Sequence, residues 1–154
     1  VGYNYGAGQL DRVKRTFRLL FFSSLCFSCA ACAALELFPG LFVSLFNDKP
    51  ELVEIAVWAL HIYAAGMFML GVQFSCQQTF VALGQAKVSL FLALLRKVIL
   101  LVPLALILPR VTGSVFGIYA AEPIADVLAS ATTLSLFLTR RKKLLPVSPQ
   151  EQAR

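Results

Sequence analysis

The sequence predicts an all-α fold, a polytopic membrane helix bundle with four transmembrane helices. Three observations predict it. First, 58% of the 154 residues are hydrophobic and 14% are charged, whereas soluble domains carry about 25% charged and about 45–50% apolar residues. Second, the apolar residues fall in long runs, and a membrane-crossing helix needs about 20 of them. Third, Lys and Arg cluster at the ends of those runs, as they do beside membrane spans.

The apolar runs define the predicted organisation of the chain. A loop at residues 1–16 precedes a four-helix transmembrane bundle at 17–138, and a basic tail at 139–154 follows it. Within the bundle, the apolar segments cover residues 17–37, 52–80, 87–108 and 115–138. The second segment would be about 40 Å long at 1.5 Å per residue, so we expect it to tilt or to project from the bilayer.

The basic residues predict the orientation of the chain. Nine of them lie in the first loop, near Gly84 and beside the last segment, whereas two, Lys49 and Arg110, lie at the opposite ends. The positive-inside rule then places both ends in the cytoplasm of a multi-pass protein of the plasma (cell inner) membrane. The formal net charge of +6 does not indicate nucleic acid, because aromatic residues are not interleaved with the basic ones.

The cysteines do not predict a metal site. Cys26, Cys29 and Cys32 have a three-residue spacing, but they lie in an unbroken apolar helix, and Cys76 is in another segment. Iron–sulfur clusters usually take four thiolates, so we interpret these small residues as a stripe for close helix packing. The sequence also lacks His-Glu-x-x-His, Gly-x-Ser-x-Gly and phosphate-loop motifs. We therefore predict neither an enzyme nor a bound cofactor.

Charged residues inside two of the apolar segments are the strongest candidates for a functional site. Arg96 and Lys97 interrupt the third segment, where each charge costs about 2.5–3.5 kcal/mol to insert. Glu122 and Asp126 lie one helical turn apart in the fourth segment, on one face. Counting from the turn between the segments puts Arg96 and Asp126 at the same depth. We predict a compensating cluster that either lines a cavity or pins the two helices together.

Two further polar features lie in the second segment. Gln73, Gln77 and Gln78 form a ridge that could donate hydrogen bonds to another helix or line a polar path. His61 is the only histidine. We expect it to bond a backbone carbonyl or a hydroxyl, with a proton relay as the other interpretation. Tyr63 near it fits an interfacial aromatic belt.

Several short motifs follow one another in order along the chain. They are Tyr3-Asn4-Tyr5-Gly6-Ala7-Gly8 with Arg12-Val13-Lys14, Gln78-Thr79-Phe80-Val81-Ala82-Leu83-Gly84, Arg96 with Pro103, Leu108-Pro109, Gly113, Gly117 and Glu122-Pro123-Ile124-Ala125-Asp126. This series covers nearly the whole chain and resembles the multidrug and toxic compound extrusion (MATE) family, which belongs to a superfamily that also contains oligosaccharidyl-lipid flippases.

The resemblance implies a place for the chain within a larger fold. Members of the family have twelve helices in two six-helix lobes, and the stretch matching Tyr3 to Gly8 follows the eighth helix. The chain is therefore expected to correspond to helices nine to twelve, as a fragment or a truncated product. Its expected partners are the lipid bilayer and the missing N-terminal helices.

The resemblance also implies an activity. Family members export small amphipathic or cationic compounds in exchange for H⁺ or Na⁺ and need no cofactor. Sodium-coupled members carry an aspartate in the helix that matches the second segment, but here that segment has only Glu54, at its outer end. This difference favours proton coupling, through helices that are not in this chain.

Two alternatives remain open. A lipid-linked oligosaccharide flippase of the same superfamily would use a wider and more basic cavity, to which Arg96 and Lys97 could contribute. A free-standing four-helix scaffold or assembly protein would also fit four segments. Small multidrug resistance transporters have four helices too, but they carry a carboxylate within the first helix, whereas Glu36 is at the end of this one.

Overall fold

The computed structural model describes residues 1–46 and 49–144, with side chains described as far as Arg141. Every regular element among these residues is helical, which confirms the predicted all-α class. Residues 47–48 and most of the basic tail predicted at 139–154 lie outside the described part. The last described helix extends into that tail, as far as Leu144.

Eight α-helices follow one another in the described residues. They are α1 (Gly2–Gly6), α2 (Leu10–Leu37), α3 (Pro39–Ser44), α4 (Pro50–Ala64), α5 (Leu70–Ala82), α6 (Ala86–Leu94), α7 (Val102–Thr112) and α8 (Phe116–Leu144). A 3₁₀ turn at Met67–Met69 separates α4 from α5. Residues Leu95–Leu101 form a π-helix, here called the π segment, which joins α6 to α7.

Three helical stretches in the described residues are long and apolar enough to cross a membrane. They are α2, the continuous stretch Ala86–Thr112 that contains α6, the π segment and α7, and Phe116–Arg141 of α8. A fourth crossing is formed if α4 and α5 act as one broken span, since the two are bent by 41°. Residues 52–80, treated above as one long segment, are therefore divided between α4 and α5.

Glycines bring three helices into backbone contact near this break. A Cβ on Gly66, just before the 3₁₀ turn, would lie 2.6 Å from the Cα of Pro123 in α8. A Cβ on Gly71 in α5 would lie 2.5 Å from the carbonyl oxygen of Ser24 in α2. Membrane helices gain most of their packing energy from such close approaches. The second span is thus held between α2 and α8 at positions that only glycine can fill.

Helix α8 is the centre of the bundle. It packs against α4, α5, α7 and the π segment, and more of it is buried than of the other two unbroken spans. Toward its C-terminal end, Phe137 stacks on Phe17 of α2 with ring centroids 4.6 Å apart, and meets the edge of Phe80 of α5 at 5.7 Å. This aromatic group joins three spans around one buried ring.

The turns that follow α1 and α5 have the same geometry. Gly8 has a φ of 70°, and the backbone N–H of Gln9 donates to the carbonyl of Asn4 at 2.8 Å. Gly84 has a φ of 75°, and the residue after it donates to the carbonyl of Phe80, also at 2.8 Å. Both are Schellman motifs, in which glycine adopts the left-handed conformation at the C′ position. The Gly-Gln pairs therefore end one helix and begin the next in the same way.

We predict that Gly71→Ala destabilises the protein by about 1–3 kcal/mol, because its new methyl group would overlap the backbone of α2. The matched control is Gly40→Ala in α3, where a Cβ would meet nothing within 4 Å, and alanine there should be neutral or slightly stabilising. The measurement is the thermal unfolding midpoint of the purified protein in detergent. Equal midpoints for the two variants would contradict the close approach of α5 to α2.

Candidate functional site

Four charged side chains meet at the interface between the π segment and α8. Arg96 Nε donates to Asp126 Oδ1 at 2.6 Å, and Arg96 Nη2 donates to Glu122 Oε1 at 3.3 Å. Lys97 Nζ donates to the same Glu122 oxygen at 3.1 Å. These four residues are called the charge cluster. The structure thus brings together all four of the charged residues that the sequence singled out within the apolar segments.

The members of the charge cluster differ in their exposure. The side chains of Asp126 and Glu122 are 4% and 10% exposed, that of Arg96 is 22% exposed and that of Lys97 is 55% exposed. Two cations face two carboxylates, so their formal charges cancel and no net charge is enclosed. An unpaired charge at this position would be costly in a medium of low dielectric constant. The difference in exposure gives the cluster two sides: Asp126 is enclosed by protein, and Lys97 is open to its surroundings.

The π segment explains how two adjacent residues reach the same carboxylate. Successive residues of a regular α-helix point about 100° apart, which would aim Arg96 and Lys97 at different neighbours. The wider π turn spans both residues and ends two residues before Pro103. Proline lacks an N–H and its ring collides with the carbonyl one turn earlier, and a π turn before it relieves that collision. The apolar pattern of the third span does not predict this segment, although Pro103 after a charged pair is a signal for it in the sequence.

A tyrosine from α4 extends the site. Tyr63 interacts electrostatically with Glu122, Asp126 and Arg96, and its side chain remains exposed. Three residues further along the chain, Gly66 packs on Pro123, which lies between the two carboxylates on α8. The sequence predicts an interfacial belt position for Tyr63 and not its place beside the charge cluster, because no local pattern shows which way α4 faces.

The glutamine ridge is divided by the structure. Gln73 is buried, and its Oε1 has no hydrogen-bond partner among the described residues. Gln77 donates from Nε2 to the carbonyl of Ser89 at 3.3 Å, which links α5 to α6, whereas Gln78 is exposed. The three side chains thus lie in three different environments.

His61 has a partner that the sequence did not indicate. Its Nδ1 lies 2.6 Å from Oε2 of Glu36, which is 25 residues earlier and near the end of α2. The expectation that His61 bonds a carbonyl or a hydroxyl is therefore wrong. The two side chains, here called the histidine–glutamate pair, are 42% and 33% exposed. The two side chains come from different helices, α2 and α4, and no short-range pattern predicts that they meet.

The first motif packs at one end of the bundle. Tyr3, Asn4, Tyr5 and Gly6 lie in α1, and Ala7 and Gly8 form the turn into α2. A Cβ on Gly2 would lie 3.2 Å from the carbonyl oxygen of Ala82, so α1 rests on the end of α5. Within the described residues, no group of three or more His, Cys, Asp or Glu side chains could hold a metal ion.

The chain forms a bundle of apolar spans, one of which is broken. The bundle encloses ionisable side chains at a helix interface. Both features are typical of membrane transport proteins. The family comparison agrees. The MatE family model matches residues 1–107, which is more than half of the chain. The chain belongs to the MatE family, whose members are transporters and not enzymes.

Solved structures support this assignment. The structure of the MATE multidrug transporter DinF-BH in complex with R6G matches with a TM-score of 0.86, 37% sequence identity and 96% of this chain covered. A second structure, described as protein A, matches with a TM-score of 0.84 at 36% identity over 95% of the chain. The chain spans about a third of the length of each, 33% and 32%. No curated protein matches the sequence.

We predict strong coupling between Arg96 and Asp126 in a double-mutant cycle. Arg96→Met or Asp126→Leu alone leaves an uncompensated buried charge and should cost about 3–5 kcal/mol, whereas the double variant should recover much of that loss. Lys87→Met is the control, because Lys87 is exposed at the start of α6 and lies outside the charge cluster. Unfolding midpoints in detergent measure the effect, and additive losses in the double variant would contradict the pairing.

Proposed function

We propose that the transporter containing this chain is a cation-coupled multidrug efflux antiporter that exports amphipathic and cationic compounds, with H⁺ as the coupling ion. The observation that carries this proposal is the likeness to DinF-BH, a MATE multidrug transporter solved with R6G, at 37% identity over 96% of this chain. The preference for H⁺ rests on the second span, where Glu51 and Glu54 at the start of α4 are the only carboxylates between residues 50 and 82.

The charge cluster supports a division of roles between its two sides. Arg96 and Asp126 are the more deeply buried pair and act as the pin between the third and fourth spans. Lys97 is more than half exposed, so separating it from Glu122 costs less free energy than separating Arg96 from either carboxylate. A cationic substrate could then replace Lys97 at the Glu122 carboxylate. Exchange of one cation for another keeps the cluster neutral in both states, which a buried site requires.

The proposed placement of the chain follows the positive-inside rule. Both ends face the cytoplasm of a plasma-membrane protein, because the basic residues lie mainly beside the termini and near Gly84. Tyr3 to Gly8 then form a cytoplasmic connection. The bundle at residues 17–138 is one part of a two-lobe fold, and the N-terminal helices of the full transporter complete the cavity that faces Lys97. Alternating access would rock one lobe against the other.

A lipid-linked oligosaccharide flippase is the second candidate, and the exposure of Lys97 favours it. An exposed ammonium group inside a span could bind an anionic lipid phosphate instead of yielding its place to a cation. In the antiporter Lys97 leaves Glu122 when a cation binds, whereas in the flippase Lys97 binds the substrate itself. Substrate binding to variants of this residue therefore separates the two candidates.

We predict that the full-length transporter, reconstituted in proteoliposomes, moves R6G when a pH gradient is imposed and not when a Na⁺ gradient of the same size is imposed. The measurement is the change of R6G fluorescence with time, with protein-free vesicles as the control. Movement driven by Na⁺ alone would contradict proton coupling, and no movement under either gradient would contradict the multidrug assignment.

We predict that Lys97→Gln tightens R6G binding about threefold to tenfold, because Glu122 loses a competing cation, and a tenfold change corresponds to about 1.4 kcal/mol. Glu122→Gln should weaken binding by a similar factor. Lys87→Gln is the matched control, since Lys87 is exposed at the start of α6 and has the same charge. Binding is measured by fluorescence titration in detergent. Unchanged or weaker R6G binding to Lys97→Gln would contradict the exchange of cations at Glu122. Loss of binding to an anionic lipid phosphate in the same variant would instead favour the flippase.

A further inference from the structure

We propose that the histidine–glutamate pair is a proton-binding site in this part of the transporter, separate from the charge cluster. The proposal rests on the proposed function, because it places a coupling proton within the chain itself. It goes beyond the sequence-based expectation that the coupling carboxylates lie in other helices. The ligand is a single proton, and the atom that receives it is Nε2 of His61.

The geometry identifies that atom. His61 Nδ1 is 2.6 Å from Glu36 Oε2, and an ionised carboxylate can only accept hydrogen bonds. With the Glu36 carboxylate as the acceptor, the hydrogen of this contact is on Nδ1, and the lone pair of the neutral ring is on Nε2. Adding a proton there converts the pair from a net charge of −1 to a net charge of zero. The imidazole ring is a common proton acceptor in proteins, so Nε2 is the atom of this pair that takes up the proton.

The elements packed against α4 bring few other charges to the pair. From α2, Cys32 contacts the carbonyl of Ala64 through Sγ at 3.5 Å, and α3 has no titratable side chain. The nearest basic residue of α2 is Arg18, 18 positions before Glu36 and about 27 Å along the helix. On α4 the other titratable groups are Glu51, Glu54 and Tyr63.

From α8, Tyr119 packs edge-on against Trp58 of α4 with ring centroids 5.9 Å apart. Glu122 and Asp126 interact with Tyr63, and their charges are matched by the Arg and Lys of the cluster. Lys49, just before α4, is 12 positions from His61, or about 18 Å along a helix. Among the residues of α2, α3, α4 and α8, His61 is therefore the group placed to neutralise Glu36.

The change in net charge links proton binding to conformation. A site with a charge of −1 is costly to enclose in a hydrocarbon medium, whereas a neutral ion pair costs less. Both side chains are partly exposed in this structure. A conformation in which α2 and α4 bury the pair binds the proton more tightly, and by linkage the proton favours that conformation.

Helix α4 connects this pair to the charge cluster. His61 and Tyr63 are two residues apart, and their side chains face α2 and the cluster respectively. The helix then ends at the break where Gly66 rests on Pro123, between Glu122 and Asp126. A rigid movement of α4 about this break changes the burial of the histidine–glutamate pair and the position of Tyr63 together. Proton binding at the histidine–glutamate pair is thereby coupled to substrate binding at the charge cluster.

The test uses the full-length transporter and two variants, His61→Gln and Glu36→Gln. Proton release on addition of R6G is followed with a pH indicator in weakly buffered detergent solution. We expect each variant to release about one proton fewer per transporter than the wild type, and to lose most of its R6G export under a pH gradient. The matched control is Glu54→Gln, an exposed carboxylate two turns away on α4, which should behave like the wild type.

The outcomes separate the two proposals. In one outcome the wild type exports R6G, and both variants release as many protons and export as much R6G as the wild type does. That outcome overturns the inference and leaves the proposed function standing. Lack of export by the wild type overturns the proposed function. Titration of the substrate-free protein from pH 8 to pH 5 then decides the inference: proton uptake reduced in both variants supports the site, and equal uptake in all three overturns it.

A purely structural role is excluded by a paired replacement. If the single variants lose their sharp elution in size-exclusion chromatography, Glu36→Met with His61→Leu removes both groups without leaving one of them uncompensated. This double variant should fold and bind R6G, and its binding should no longer depend on pH between 5 and 8. A wild-type pH profile in the double variant would overturn the inference.

Discussion

The bond between Arg96 and Asp126 is the interaction on which the rest of the structure depends. A guanidinium group inside an apolar span must meet a carboxylate, and the next span offers one at the same depth. The 2.6 Å contact fixes both the height and the rotation of α8 relative to the π segment. Because α8 also packs against α4, α5 and α7, fixing the position of α8 determines where those helices lie.

Close packing of the helices around α8 then determines how the polar groups are arranged. Gly66 lets the broken second span touch α8 beside the two carboxylates, and Gly71 lets the same span touch α2. Helix α4 is consequently held between two polar sites, with Tyr63 toward one and His61 toward the other. Lipid offers no hydrophobic force to press helices together, so such contacts depend on shape. Replacing either glycine would therefore disturb positions well beyond the replaced residue.

The sequence predicted best what depends on local geometry. Helical periodicity placed Glu122 and Asp126 on one face, and the short turn before α8 allowed the depth of Arg96 to be counted. The break between α4 and α5 could not be predicted, because it depends on a contact with α8, whereas Pro103 is a local signal for the π segment that the apolar pattern does not contain. The contact between His61 and Glu36 depends on how the chain returns after α2, through a connection whose path no periodicity describes. The apolar character of the spans is set by composition, whereas the pairing of these polar groups is set by tertiary contacts.

The Schellman turn at Gly84 has a mechanical consequence. Only three residues, 83–85, lie between the end of α5 and the start of α6, and their backbone is tied by hydrogen bonds from Gly84 and Gln85 to the preceding turn. This short, hydrogen-bonded connection restricts the movement of α5 relative to α6. Helices α5 and α6 are therefore constrained to move together, whereas α4 and α5 meet at a 41° bend that lacks such a turn.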